Sequence, residues 1–96
     1  MHAVVRTYSG HGAKELFDVL EQRKADVEKV LGSIAGLHSY SLIRTADGGI
    51  SVTVCQDKAG TDESVRRAGE WVKENGSHTG ANPPVVSDGP VFIQLG

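Results

Sequence analysis

Six side chains carry groups from which a reaction or a binding site could be built: Arg6, Tyr8, His38, Tyr40, Trp71 and His78. Arg6 brings a cationic fork of five donors, suited to hold an oxyanion such as a phenolate or an enolate. Its competing role is an interface ion pair with a carboxylate of a partner subunit. His38 shares a strand face with Tyr40 and fits a general base where it lines a pocket. Trp71, the only tryptophan, offers a flat wall to an aromatic ring, and equally a packing anchor whose indole N–H finds a polar partner. His78 stands in Gly76-Ser77-His78-Thr79-Gly80, the composition of a loop able to cover a cleft. A role as haem ligand weighs little for it, since a lone loop histidine is usually solvated. The assignment is therefore Arg6, His38 and Trp71 as catalytic residues, with Tyr8, Tyr40 and His78 holding substrate.

What the sequence lacks narrows the chemistry. His2, His11, His38 and His78 are too dispersed for a metal site. There is no glycine-rich phosphate loop. Cys55 lies inside a strand-like run with no His or Lys neighbour to activate it, and reads as a small buried hydrophobe. A substrate-driven reaction needing no metal, flavin or haem is the main enzymatic option left.

These residues need elements to position them. His2 to Tyr8 reads as a first strand ended by Ser9-Gly10. From Ala13 to Ile34 the residues Leu16, Val19, Leu20, Val27, Val30, Leu31 and Ile34 recur at helical spacing, predicting one amphipathic helix with Gly32 and Gly36 at its end. Leu37–Thr45 and Gly49–Gln56 flank Asp47-Gly48, which predicts a hairpin with a two-residue loop there. That register sets Ile43 opposite Val52 and Tyr40 opposite Cys55; a three-residue turn with a bulge is the alternative. A second helix is expected after Thr61, with Val65, Ala68, Gly69 and Val72 on its narrow apolar face and Asn75-Gly76 at its end. Pro83-Pro84 leads to a last strand, Val85 to Leu95, bent at Gly89-Pro90.

The order is the split β-α-β-β-α-β plan: a ferredoxin-like α+β fold with one antiparallel sheet and two helices on a single face, forming a single domain over residues 1–96. At this length only roughly 60–65% of the unfolded chain's surface is buried, so a homodimer is expected through the sheet face carrying Tyr40, Leu42, Thr53 and Cys55. Small side chains at Ser39, Ser41, Ser51, Thr53, Ala68 and Gly69 leave room for a planar ligand, or let helix and sheet approach closely. Ten basic and twelve acidic residues, scattered for a formal charge of −2, attract neither nucleic acid nor an anionic membrane. With one cysteine and no signal-like apolar stretch, the expected location is cytoplasmic.

Gly36-Leu37-His38-Ser39-Tyr40-Ser41-Leu42, Asp47-Gly48-Gly49, Asp57-Lys58-Ala59-Gly60, Glu63-Ser64 and above all Glu70-Trp71-Val72-Lys73-Glu74-Asn75 resemble the small dimeric α+β-barrel proteins related to antibiotic biosynthesis monooxygenases. The resemblance spans nearly the whole chain. It implies two sheets meeting in a shared barrel with the helices outside. Members include cofactor-free oxygenases of polyketide quinols, haem-degrading oxygenases and muconolactone isomerases. The oxygenases use a Trp on the second helix, the place of Trp71, commonly with an Asn on the first strand; this chain has Arg6, Thr7 and Tyr8 there instead. The implied activity is oxygenation of a small electron-rich aromatic compound, with a non-catalytic dimeric binding protein as the alternative.

Overall fold

A computed structural model describes residues 1–96. The chain runs β1 (His2–Ser9), α1 (Ala13–Gln22), α2 (Lys24–Gly32), β2 (Leu37–Thr45), β3 (Gly48–Cys55), α3 (Lys58–Asn75), a 3-10 turn at Ser77–Thr79, and β4 (Val85–Pro90). The strands form one antiparallel sheet in the order β2-β3-β1-β4. Three helices cover one face, giving the ferredoxin-like architecture that the pattern of the sequence predicts.

The first helical stretch is two helices. Between Leu20 and Val27 the run Glu21-Gln22-Arg23-Lys24 offers no side chain to the core, so the chain turns at Arg23 (φ −111°, ψ 25°) and restarts. The turn redirects α2 so that Val27 and Leu31 join Leu16, Phe17 and Leu20 in one core.

The cap of α3 lies four residues before the expected Thr61. Asp57 caps the helix, its carboxylate accepting from the Gly60 N–H at 3.1 Å. Thr61 and Ser64 then lie inside the helix, their hydroxyls donating to the carbonyls of Lys58 and Thr61 at 3.0 and 2.7 Å. With their polar groups satisfied locally they pack like apolar residues. The buried face is Thr61, Ser64, Ala68 and Trp71, rotated from the expected one, so that Trp71 sits on it and Gly69 is exposed.

The hairpin also differs. Thr45 pairs with Gly48 and Ile43 with Ile50, so the loop is Ala46-Asp47 and the register lies two residues from the expected one. Gly49 explains this: a Cβ there would overlap the Phe17 ring, so the residue belongs in the strand beneath α1. Because the shift is two, each side chain keeps its expected face. β4 ends at Pro90 rather than Leu95, and the last ladder-like bond runs from the Val91 N–H to the Met1 carbonyl at 2.9 Å.

One assignment is inverted. Tyr40, Leu42, Ser51, Thr53 and Cys55 lie under the helices, the last three fully buried, and do not form the open face. The open face consists of Ala3, Val5 and Thr7 of β1, Ser39, Ser41, Ile43 and Thr45 of β2, Ile50, Val52 and Val54 of β3, and Val85, Ser87 and Gly89 of β4. It carries no charged residue, although the chain holds 22 of them in total, the 10 basic and 12 acidic. No helix is long and apolar enough to cross a membrane.

Candidate functional site

Alternation along β1 sends Val4, Arg6 and Tyr8 to the helix side of the sheet, all nearly fully buried. Arg6 is 3% exposed. Its Nη1 donates to the Tyr8 hydroxyl at 2.9 Å and its Nη2 to the Tyr40 hydroxyl at 3.3 Å. No carboxylate forms an ion pair with it. The interface ion pair expected as its alternative role is thereby ruled out by placement, because β1 turns this side chain inward.

The cluster is rich in donors and poor in acceptors. Arg6 Nε has no partner, and neither phenol's own proton meets an acceptor. Ser51, directly across the ladder from Arg6, and Thr53 beside it are buried with unpartnered hydroxyls. A buried cation without a counter-ion costs several kcal/mol, and unpaired buried donors add to that. A ligand bringing negative charge and acceptor oxygens to Arg6 would offset the cost of its charge. Burial raises the Tyr40 phenol above its ordinary value, an effect that Arg6 opposes without cancelling, so Tyr40 stays a neutral donor at physiological pH.

Arg6 and Tyr8 form the floor of a cleft of about 510 Å³. Its walls are Val65, Gly69 and Val72 of α3 on one side and Ala81–Pro84 with Val86 on the other. Gly69 adds no side chain to this wall, and the space where its Cβ would stand is open. The far wall is held in place by the Asn82 N–H donating to the His11 carbonyl at 3.2 Å and by Thr79, whose hydroxyl donates to the Gly76 carbonyl at 2.6 Å. This volume and its mostly apolar lining suit a small organic ligand.

The remaining candidates lie elsewhere. Trp71 is 5% exposed and packs between α2 and α3, its Nε1 donating to Asp26 at 3.0 Å and the Arg23 guanidinium lying 5.8 Å from the ring centroid. It borders a small inner void next to Arg6, Tyr8 and Tyr40, yet neither open cleft. His38 is exposed at the β-bulge between Leu37 and Ser39. His78 is exposed on the 3-10 turn, where it lines a surface hollow with His11, Glu15 and Asp18. The structure thus brings Arg6, Tyr8 and Tyr40 together, sets Trp71 behind them and leaves both histidines outside. Of the wall residues, Val72 was legible as part of the apolar face of its helix, Pro84 only as part of the Pro83-Pro84 pair, and Asn82 and Val86 carried no site signal. Cys55 is fully buried, and burial together with Asp57 pushes its thiol up, as expected of an inert cysteine.

No protein-family model matches the chain, and no curated protein matches it in sequence. Solved structures do share its fold. NE2512, a protein of unknown function from Nitrosomonas europaea, aligns over 98% of this chain and 90% of its own with a TM-score of 0.68 at 13% identity. A monooxygenase from the gene ActVA-Orf6 of Streptomyces coelicolor, solved in complex with nanaomycin D, aligns over 99% and 90% with a TM-score of 0.64 at 16% identity. A dimeric ferredoxin-like protein from an uncultured marine organism aligns over 98% and 94% with a TM-score of 0.65 at 15% identity. Identities this low speak for the fold alone. The chain has the ferredoxin-like α+β fold of the antibiotic biosynthesis monooxygenase-like proteins, the architecture its sequence resembles.

Proposed function

We propose that the protein binds a small aromatic oxyanion of the quinol or anthrone type at Arg6 and promotes its oxygenation by dioxygen without a cofactor. The observation that carries this reading is the buried, unpaired guanidinium at the floor of the large cleft. Arg6 and Tyr8 hold the oxyanion, and Tyr40 braces Arg6 from behind. Trp71 fixes α3 against α2 and closes the space behind the guanidinium. An anthrone-type anion gives an electron pair to dioxygen as a C–O bond forms, and the peroxide anion takes a proton from solvent; the hydroperoxide then loses the hydrogen on that carbon and its outer oxygen as water, leaving one oxygen atom as a carbonyl. The protein contributes binding, orientation and exclusion of water.

A second reading, a dimeric binding protein without catalysis, draws on a specific feature. The large cleft has no histidine or carboxylate in its lining, so apart from Tyr8 and Lys73 nothing there moves a proton. In both readings the protein is a homodimer, formed through the charge-free open face of the sheet. Such a face offers no charge pattern to select another partner and is complementary to itself.

Oxygen uptake by purified, metal-stripped protein with a panel of hydroquinones and anthrone-like phenols separates the two. Uptake above the buffer rate that falls tenfold or more in Arg6→Gln supports the oxygenase. Saturable binding without uptake leaves the binding protein.

A further inference from the structure

A second cleft, of about 310 Å³, opens at the joint between α1 and α2, on the β2 side of the sheet. The inner void lies between it and the large cleft, sharing Arg6 and Tyr8 with one and Tyr40, Leu20 and Leu42 with the other. Tyr40 therefore stands between Arg6 and this second opening.

The lining selects a class of ligand. The floor is Phe17, Leu20, Val27 and Leu42, which favours an apolar body. At the rim Glu21 and Glu28 balance Lys24 and Arg44, and Arg44 is already engaged by Asp18 at 3.1 Å, so no net charge is offered to an ion. Tyr40 carries the one uncharged polar side-chain group among the lining residues. It accepts from Arg6 and has no acceptor for its own proton. A guanidinium donating to a phenol oxygen polarises the O–H and makes it a stronger donor to whatever lies beyond.

We infer that the α1–α2 joint is a second binding site, for a neutral aryl ketone or a similar flat molecule with one carbonyl, held by an Arg6 to Tyr40 to carbonyl hydrogen-bond chain. The site goes beyond the oxyanion reading and does not depend on it, since its ligand is uncharged and enters from the opposite side of Arg6. Burial, which keeps Tyr40 protonated, keeps this donor available across the physiological range.

The test compares 1-tetralone with tetralin, nearly the same shape without the carbonyl, by NMR titration of the full chain. The ketone should shift the Phe17, Tyr40 and Leu42 signals saturably and bind at least tenfold more tightly than the hydrocarbon. Tyr40→Phe should erase that preference, and Leu42→Trp should block both ligands. Equal affinity for the two ligands, shifts confined to Gly69 and Val86 in the large cleft, no binding of either ligand, or a preference surviving in Tyr40→Phe would each overturn the proposal. Because the assay involves neither an anion nor oxygen, its outcome stands apart from that of the uptake experiment.

Discussion

The Arg6 guanidinium donates to the Tyr40 hydroxyl at 3.3 Å across the sheet, from β1 to β2, with β3 lying between the two strands. Ser51 and Thr53 make this reach feasible, because on β3 they present short side chains between the longer ones. The pair links two cavities on opposite sides of one buried charge.

On the oxyanion reading that charge is held for binding rather than for the fold. Arg6→Met replaces a desolvated, unpaired cation with an apolar chain of similar length, so urea unfolding should show no loss of stability and a gain of up to about 3 kcal/mol. Binding of a phenolate should weaken at least tenfold in the same variant. A loss of more than about 2 kcal/mol would mean that Arg6 is compensated within the fold and is not held for a ligand.

Trp71 should behave as an anchor. Trp71→Ala is expected to cost about 3–5 kcal/mol, whereas Trp71→Phe, which keeps most of the bulk and gives up the bond to Asp26, should cost about 1 kcal/mol. Phenolate affinity of Trp71→Phe should match that of the wild type. A tenfold drop in affinity with stability intact would instead make the indole a wall of the site.

Val52 sits near the middle of the open face, paired with Val5 on one side and Ser41 on the other. Light scattering at micromolar concentration should give a dimer for the wild type and a monomer for Val52→Lys, with circular dichroism unchanged. A monomeric wild type, or a dimeric variant, would remove the sheet-to-sheet interface.

Asp88 gives the acid limb of stability a local contributor. Its carboxyl is held below the usual carboxylate value first by the hydrogen bond from His2, at 2.7 Å, and then by Lys58, at 3.2 Å. A lowered folded value means that the unfolded chain binds the proton more readily, so this contribution is present above the ordinary carboxylate range and is lost as pH falls from there through the lowered folded value. Asp88→Asn should flatten the drop in urea midpoint between pH 6 and pH 3. An unchanged slope would show that the His2 and Lys58 contacts are too exposed to matter.

The sequence by itself determined the order of elements, the two faces of each strand, the buried thiol and the gathering of Arg6 and Tyr8 on one side of β1, because a period of two along a strand is local information. It could not say which face lies under the helices. Ile43, Ile50, Val52 and Val54 are as apolar as Tyr40, Leu42, Thr53 and Cys55, and only the path of the crossovers decides between them. The same limit hid the state of Arg6: a strand arginine reads as exposed or paired until the packing of three helices closes over it. Tertiary packing also fixed the two-residue register shift, through the Phe17 ring on Gly49, and set Trp71 on the buried face of α3 with Thr61, Ser64 and Ala68. His38 and His78 were drawn toward the site by residue type alone. A bulge and an exposed turn leave them outside it, because a side chain reaches a cavity only if its backbone passes the wall.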